Sequence, residues 1–275
     1  MIAAGLTDLV IFDSNDRVGG NWIFSEHSGH SSVYETAHAI SSRKLSQYDD
    51  FPMPSDYPDY PSHDQLRRYF ESYADQFGVT PYVRFNTSVV RAIPSADGRW
   101  QITASGPAGD SRELFDYLLV ANGHHSCPRM PSYPGEFSGQ LLHAHDYKTA
   151  RPFSGRRVLV IGGGNSACDI AVETGRLSAR TCISMRRGYY FFPKFMFGRP
   201  IDAMYRKTWI LPRPARQKLA KLTLWAVQGS NSRYGLLRPD HEPLEHHPNL
   251  NSELLYSVRH GRVHPRPDVS RFEGR

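Results

Sequence analysis

The clearest hydrophobic pattern in the chain is a short unbroken apolar run at residues 158–161. Consecutive apolar residues are typical of a strand buried on both faces of a parallel sheet. Three glycines follow, and from Asn165 onwards apolar residues recur at helical spacing. The predicted buried face of this helix holds Ala167, Ile170, Ala171 and Thr174. A second apolar run at 181–185 completes a predicted strand, turn, helix and strand.

Three further patterns predict elements elsewhere. Residues 9–12 form an apolar run that ends in Asp13 and predicts a second buried strand. Residues 65–77 place large apolar side chains three and four positions apart, which predicts an amphipathic helix. These side chains are Leu66, Tyr69, Phe70, Tyr73 and Phe77. A proline-rich break at 211–214 precedes an apolar, helix-like run at 219–227.

The glycine turn at 162–164 carries a dinucleotide-binding pattern. Gly162, Gly164 and Ala167 occupy the positions of G-x-G-x-x-G/A, which serve a tight turn, close approach to a pyrophosphate and close helix–strand packing. The helix that opens with Asn165 and Ser166 would offer free N–H groups and a partial positive charge to the phosphates. A purely structural turn is the alternative, but the flanking strand and helix favour a dinucleotide site.

The end of the second strand indicates which dinucleotide binds. An NAD site places an acid about twenty residues on, whereas an arginine there accommodates the 2′-phosphate of NADP. Here Arg186 and Arg187 follow the strand and no acid lies nearby. Two planar guanidinium groups suit a phosphate dianion. NADP is therefore predicted over NAD, with a pair of solvated surface arginines as the alternative.

Length and composition are those of an ordinary globular chain. A chain of 275 residues with 39% hydrophobic and 22% charged residues can form one or two domains. No run reaches the roughly 18 apolar residues of a membrane span, and no signal-peptide pattern opens the chain. No membrane span is therefore predicted.

Neither cysteines nor histidines show the spacing of a disulfide framework or a metal site. Cys127, Cys168 and Cys182 are an odd number without C-x-x-C spacing, which favours a reducing, cytoplasmic location. The histidines at 124, 125, 241, 246 and 247 lack zinc-type spacing with a further ligand set. They are expected to be satisfied surface or core residues, and no metal is predicted.

Positive charge is concentrated in one segment. Residues 180–221 carry eleven Lys and Arg against one acid, Asp202, with aromatic residues interleaved. Such a mixture could serve nucleic acid or a membrane surface. No recognised nucleic-acid motif accompanies the charge, so a solvated segment beside an NADP site is favoured and no nucleic-acid partner is expected.

The first apolar run indicates a second, incomplete dinucleotide unit. An acid at a strand end, here Asp13, is the ribose-binding half of such a fingerprint. Its glycine half should lie about twenty residues earlier. Only twelve residues precede Asp13, and their one glycine is Gly5. The first strand and its glycine loop are therefore expected to be missing. Downstream, Gly-Gly-Asn-Trp at 19–22 would bring backbone and an indole close to a ligand.

Several motifs, in order, resemble the flavin-containing monooxygenases. They are the Gly-Gly-Asn-Trp turn, the aromatic and proline-rich segments at 50–54 and 57–61, and the strand and turn at 117–123, where these proteins cross between domains. The most specific is F-x-G-x-x-x-H-x-x-x-Y, fitted by Phe137, Gly139, His143 and Tyr147. The related Baeyer–Villiger enzymes usually end this motif in Trp-Pro, whereas Lys148 follows here. The chain is identified as a member of the family, incomplete at both ends.

The resemblance implies an α/β fold with two Rossmann-like dinucleotide-binding domains, one for FAD and one for NADP. The NADP domain would be inserted into the FAD domain. Residues 1–150 would form the FAD-binding domain without its first strand and glycine loop. Residues 151–275 would form the NADP-binding domain, with about 260–275 returning toward the FAD domain.

The resemblance also implies the chemistry. NADPH would reduce FAD, O₂ would add to the reduced flavin, and the resulting hydroperoxide would oxygenate a soft nucleophile such as an amine or a sulfide. The cofactors would carry the reaction, so no catalytic side chain is expected. The cofactor-binding residues would be Asp13, Gly19, Gly20, Trp22, Ser41 and Ser42 for FAD, and Gly162, Gly164, Asn165, Ser166, Arg186 and Arg187 for NADP. Phe137, Gly139, His143 and Tyr147 would be structural or coupling residues.

One departure from the family touches the flavin site. Members often carry an Asn just before a Ser/Thr-Ser pair, where this chain has Ile40, which cannot donate a side-chain hydrogen bond. A non-catalytic fragment that binds NADP only is therefore an alternative. An NADP-dependent disulfide reductase is a weaker one, disfavoured by the lack of C-x-x-C. The 275 residues alone are expected to bind FAD poorly, and substrate and oligomeric state stay open.

Overall fold

The computed structural model describes residues 2–27, 29–246 and 248–274. Within them the helices are α1 (Arg43–Ser46), α2 (His63–Gln76), α3 (Asn165–Leu177), α4 (Ile201–Lys207), α5 (Arg213–Gln228) and α6 (Leu254–Arg259). The strands are β1 (Ile11–Phe12), β2 (Val83–Arg84), β3 (Ser88–Pro94), β4 (Trp100–Gly106), β5 (Gly109–Phe115), β6 (Gly135–Phe137), β7 (Arg157–Ile161), β8 (Arg180–Ser184), β9 (Phe191–Phe192), β10 (Phe195–Met196), β11 (Arg199–Pro200), β12 (Asn249–Leu250), β13 (Val263–Arg266) and β14 (Phe272–Gly274). The chain is thus a mixture of helices and short strands.

A parallel sheet of β7, β8 and β13 forms the core of the second half of the chain. β8 lies between the other two strands, with Val158 opposite Thr181 and Thr181 opposite Val263. Ile183 and Val263 are almost completely buried in this core. The predicted strand, turn, helix and strand are confirmed, and α3 begins at Asn165 as expected. The third strand, β13, was not predicted.

The helix that follows the glycine turn packs on this sheet through its apolar face. Its buried residues are Cys168, Ile170, Ala171, Val172 and Thr174. Three of the four predicted face positions are therefore buried, and the fourth, Ala167, is half-buried. Most of the face lies against β8 and α6 and closes the core above the sheet. Ile170 instead packs in a second cluster with Tyr34 and Tyr147.

The end of the chain returns toward its first half. β14 pairs in parallel with β6, with Phe272 opposite Gly135. The rings of Phe137 and Phe272 lie 5.5 Å apart. β13 instead extends the sheet of β7 and β8. The return is thus made by β14 after β13 has completed the other sheet.

The apolar run near the N-terminus forms a shorter strand than predicted. Only Ile11 and Phe12 are in β1, which pairs with β2 in parallel. The predicted strand at 117–123 is wrong, because these residues pair with no strand in the described ranges. Tyr117 and Val120 are 85% and 76% exposed. Without a neighbouring strand the apolar side chains of this segment have no sheet to pack in, and its backbone forms no ladder.

The predicted amphipathic helix is confirmed as α2. Ser62 caps its first turn: the Ser62 hydroxyl accepts from the Gln65 amide at 3.3 Å, and the Gln65 side chain accepts from the Ser62 amide at 2.9 Å. Leu66 and Tyr69 are buried on the inner face. The Tyr69 hydroxyl donates to the Phe51 carbonyl at 2.6 Å, which fixes the proline-rich segment against the helix.

A three-stranded antiparallel meander of β3, β4 and β5 was not predicted. Trp100 pairs with Pro94 on one side and Phe115 on the other. Along β4 the buried residues Ile102 and Ala104 alternate with less buried ones. An Asp-Gly pair at 97–98 lies between β3 and β4, and such a pair between alternating apolar residues is the usual sequence signal of a hairpin.

The apolar run at 219–227 lies in a helix, α5, but much of it is not buried. Only Ala220 and Leu224 of α5 are in the core, whereas Leu222 and Trp225 are 62% and 66% exposed. Apolar residues occupy more than one face of the helix, so packing on one side cannot cover them all. None of the helices in the described ranges is long and apolar enough to cross a membrane.

The capping box of α2 gives a testable prediction. We expect Ser62→Ala to lower the free energy of unfolding by about 1 kcal/mol, because the first turn loses its side-chain acceptor. Urea titration followed by circular dichroism would measure the change. Ser55→Ala, at an exposed serine in a loop, is the control and should change the value by less than about 0.5 kcal/mol. Equal effects of the two substitutions would contradict the prediction.

Candidate cofactor-binding site

The glycine turn between β7 and α3 is shaped by close contacts. Gly162 has a φ of +137°, a conformation that favours glycine. A Cβ on Gly163 would overlap the Tyr189 ring, so no side chain fits there without moving that ring. A Cβ on Gly164 would meet no atom within 4 Å. The turn is therefore closed by protein on one side and open at Gly164.

A segment at 248–251, which includes β12, braces the turn from a distant part of the sequence. The Asn249 side-chain amide donates to the Gly163 carbonyl. The Asn165 side chain accepts from the Leu250 amide at 2.8 Å and donates to the Pro248 carbonyl at 3.3 Å. Asn165, predicted to bind cofactor, is thus held by protein through its side chain. Ser166 is exposed beside it.

The two arginines predicted to select NADP lie beyond the end of β8 in different surroundings. Arg186 is exposed and makes no ion pair within the described ranges. The Arg187 guanidinium lies 5.3 Å from the centre of the Tyr189 ring, the ring that covers Gly163. Tyr189 therefore connects Arg187 to the glycine turn, an arrangement that spacing alone did not show.

An open cleft of about 2770 Å³ brings the two predicted cofactor regions together. Its lining from the first half of the chain includes Asp13, Gly20, Trp22 and Ile40. From the second half it includes Gly164, Asn165, Ser166 and Asp169. Six of the predicted residues thus face one space, whereas the others are not among its lining residues. Those others are Gly19, Ser41, Ser42, Gly162, Arg186 and Arg187.

The carboxylate of Asp13 lies at the end of β1 on this cleft. One carboxylate oxygen accepts from the backbone and the side-chain amide of Asn15, at 2.9 and 3.0 Å. Its second oxygen accepts no hydrogen bond from the described residues. The Asp13 amide donates to the Arg84 carbonyl at 3.2 Å, which extends the β1–β2 pairing to the acid. Asp13 is thereby positioned with one oxygen available to a ligand.

The glycine turn at 19–22 is held by an asparagine that sequence reasoning did not single out. The Asn21 side-chain oxygen accepts from the amide and hydroxyl of Ser32, at 2.8 and 2.9 Å. The Ser31 hydroxyl donates to the Asn21 carbonyl at 2.6 Å. Trp22, half-buried, packs against two separate apolar clusters. The segment at 31–34 is therefore tied to this turn.

The two predicted serines are engaged by other parts of the protein. The Ser41 hydroxyl bonds that of Ser46 at 2.7 Å. The Ser42 amide donates to the Asp202 carboxylate at 2.5 Å, and the buried Ser42 hydroxyl has no partner among the described residues. Their neighbour Ile40 is 38% exposed and lines the cleft. The structure thus places Ile40, rather than the serines, among the cleft residues named above.

The predicted coupling motif divides between two places. Phe137 lies in β6, and a Cβ on Gly139 would meet its ring. The His143 ring accepts from the His145 amide at 3.1 Å, a local turn contact. Tyr147 is buried, and its hydroxyl donates to Glu173 of α3 at 2.6 Å. Only the last residue of the motif therefore contacts the helix of the glycine turn.

Two acids on α3 receive buried tyrosine hydroxyls. Glu173 accepts from Tyr147, and one turn earlier Asp169 accepts from Tyr34 at 2.6 Å. Burial raises the pKa of both carboxyl groups and, helped by these carboxylates, the pKa of both tyrosines. The sequence signal for this pair was present but unused: two acids four residues apart interrupt a largely apolar helix.

A buried lysine joins the same region. The Lys148 ammonium donates to the carbonyls of Ser31, Val33 and His145, at 2.6, 3.4 and 3.2 Å. Burial lowers its pKa. These three bonds tie the segment that follows the coupling motif to residues 31–33.

The histidines considered for metal binding form ring pairs. The rings of His124 and His125 lie 4.0 Å apart, and those of His241 and His246 lie 4.7 Å apart. The remaining one, His247, lies outside the described residues. In the ranges that the structure describes, no three acidic, histidine or cysteine side chains gather as a metal site would require.

Comparison with known protein families gives one match over nearly the whole chain. The model for flavin-binding monooxygenase-like proteins matches residues 3–275. The chain belongs to this family. The human putative dimethylaniline monooxygenase [N-oxide-forming] 6 is 34% identical over 280 residues, covering 95% of this chain and 51% of that protein. The chain spans about half the length of the curated relatives it matches.

Solved structures of flavin monooxygenases share the fold. The S-allyl-L-cysteine S-oxygenase of Allium sativum is 28% identical, with a TM-score of 0.61 over 64% of this chain and 45% of that one. OTEMO in complex with FAD and NADP is 16% identical, with a TM-score of 0.70 over 98% of this chain and 62% of that one. The family and these neighbours support FAD and NADP as the cofactors, as predicted.

The close contact at Gly163 gives a second prediction. We expect Gly163→Ala to lower the free energy of unfolding by about 1–3 kcal/mol, since the new methyl group must displace the Tyr189 ring. Gly164→Ala, in open space at a φ of −79°, is the matched control and should stay within about 1 kcal/mol of the parent. Urea unfolding would compare them. A larger loss for Gly164→Ala would contradict this account of the turn.

Proposed function

We propose that the protein is an NADPH- and FAD-dependent monooxygenase that inserts one oxygen atom from O₂ into a soft nucleophile, an amine or a sulfide. The observation that carries the proposal is the single cleft lined both by Asp13, Gly20 and Trp22 and by Gly164 and Ser166. A flavin and a nicotinamide must meet for hydride transfer, and one shared space permits this. The names of the human relative and of the Allium enzyme, one N-oxide-forming and the other S-oxygenating, support the substrate class.

The flavin side of the cleft fits a dinucleotide. The unpaired carboxylate oxygen of Asp13 would accept from ribose hydroxyls, the usual partner of an acid at a strand end. Gly20 has a φ of +52°, and a Cβ there would meet no atom within 4 Å, which leaves its backbone accessible. The Trp22 indole would pack beside the flavin. Ile40 offers this site an apolar surface and no hydrogen bond.

The nicotinamide side fits a pyrophosphate and a phosphate monoester. The open position at Gly164 lets phosphate oxygens approach the first amides of α3, where the helix dipole is positive. Arg186, exposed and without an ion pair among the described residues, would take the 2′-phosphate of NADP. Arg187 would hold the adenosine end from its position over Tyr189.

In this proposal the cofactors supply the hydride transfer and the reaction with O₂. The residues of the chain bind them, orient them and limit the access of water. We further propose two Rossmann-like domains, residues 1–150 for FAD and 151–275 for NADP, with the NADP domain inserted into the FAD domain and the last residues returning to it. The pairing of β14 with β6 supports this return.

The role of Arg186 is tested by nucleotide preference. We expect Arg186→Gln to weaken NADP⁺ binding by about tenfold or more and to leave NAD⁺ binding within about twofold, because only NADP⁺ carries the phosphate that the guanidinium contacts. Isothermal titration calorimetry measures both. Arg180→Gln, an exposed arginine at the opposite end of β8, is the control and should change neither affinity. Equal weakening for both nucleotides would show that Arg186 does not read the 2′-phosphate.

The whole activity is tested by product formation. Because the 275 residues alone are expected to bind FAD poorly, the purified chain would be kept in excess FAD and then given NADPH, O₂ and either a tertiary amine or a thioether. We expect the N-oxide or sulfoxide to carry one ¹⁸O atom when ¹⁸O₂ is supplied. Asp13→Ala should reduce the flavin that is retained after gel filtration, measured by absorbance. A chain that binds NADP⁺ but retains no flavin would instead favour the NADP-binding fragment.

A further inference from the structure

Asp169 connects three segments through its two carboxylate oxygens. It lies on α3 one turn beyond Asn165 and lines the cleft. One oxygen accepts the Tyr34 hydroxyl at 2.6 Å, and the other accepts the Asn251 side-chain amide at 2.6 Å. Because both oxygens accept a hydrogen bond, this one side chain holds two separate segments against α3.

The Asn251 contact leads to the glycine turn. Asn249 and Leu250, immediately before it, make the bonds to Gly163 and Asn165 that brace the turn. The Asn251 side-chain oxygen accepts from the amides of Glu253 and Leu254, which fixes the start of α6. Asp169 thus holds the 248–251 segment, which braces the glycine turn at 162–164.

The Tyr34 contact leads to the flavin side of the cleft. Tyr34 follows Ser31 and Ser32, whose side chains and amide bond Asn21. Asn21 lies between Gly20 and Trp22, which line the cleft. Hydrogen bonds and two short stretches of backbone therefore connect the flavin-side turn, through Asp169, to the 248–251 segment that braces the turn at 162–164.

We infer that Asp169 is a positioning residue that fixes the NADP-binding turn relative to the flavin-side segment at 20–34. The inference rests on the proposed function, since it takes the turn at 162–164 as the NADP site. Its physical reason is that hydride transfer tolerates little misplacement: a shift of about 1 Å can cost about a hundredfold in rate. The two cofactor regions come from distant parts of the chain and need a direct link.

The chain supplies a matched comparison one turn further along α3. Glu173 accepts the Tyr147 hydroxyl at 2.6 Å and a second hydrogen bond from Thr36. Within the described ranges, Glu173 makes no hydrogen bond with the 248–251 segment. Tyr34→Phe and Tyr147→Phe each remove one buried hydroxyl and leave the acid one remaining partner. Tyr147 belongs to the predicted coupling motif, but its hydroxyl leads to Glu173 and not to Asp169. Only Tyr34→Phe therefore interrupts the path to the glycine turn.

Hydrogen exchange followed by mass spectrometry tests the link on the 275-residue chain, with and without saturating NADP⁺. In the parent and in Tyr147→Phe, we expect NADP⁺ to slow exchange at 162–168 and also at 31–34. In Tyr34→Phe, the slowing at 162–168 should remain and that at 31–34 should be lost. If Tyr34 only stabilised the fold, Tyr34→Phe would raise hydrogen exchange at 31–34 without NADP⁺, and NADP⁺ would still slow that exchange.

A second measurement addresses Asp169 itself. We expect Asp169→Asn, which keeps the shape and removes the charge, to weaken NADP⁺ binding by about threefold or more, whereas Glu173→Gln should change it by less than about twofold. The inference is overturned when 31–34 still responds to NADP⁺ in Tyr34→Phe, or when Tyr147→Phe loses the response equally. Parent protein that shows no slowing at 162–168 with NADP⁺ would overturn the proposed nicotinamide site and the positioning role with it.

Discussion

The structure depends on the absence of side chains at the turn between β7 and α3. Gly162 takes a backbone conformation that favours glycine, and the Tyr189 ring occupies the space where a side chain on Gly163 would lie. The ring in turn carries Arg187. The same steric constraint therefore sets the direction of α3, the opening of the turn toward the cleft and the position of the Arg187 guanidinium.

The second organising feature is the polar face of α3. A helix that buries Cys168 and Ala171 against a sheet would ordinarily turn its acids to water. Here Asp169 and Glu173 accept hydrogen bonds from Tyr34 and Tyr147, so this side also contacts protein. The helix is held on both sides, and the two predicted cofactor regions are joined by hydrogen bonds as well as by apolar packing.

How much could be predicted from the sequence depends on how far apart along the chain the interacting residues lie. The strand, turn and helix from 157 to 177 were predictable because apolar period and glycine spacing are local properties. The bracing by Asn249 and the third strand at 263–266 were not, since both depend on where the chain returns. The error at 117–123 has the same origin: the residues favour a strand, but a strand exists only when a partner pairs with it. Spacing also did not show that the Ser41 hydroxyl bonds Ser46 and that the Ser42 amide donates to Asp202.

The pairing of β6 with β14 has a consequence for how the chain folds. These strands are more than 130 residues apart in sequence, and they join directly with no strand between them. Pairing at such a separation is slow because a long loop must close before any contact compensates the lost chain entropy. During synthesis, β6 is made long before β14. Its edge therefore stays unpaired while the sheet of β7, β8 and β13 forms. The first half of the chain is thus most exposed to mispairing in the interval before β14 is made.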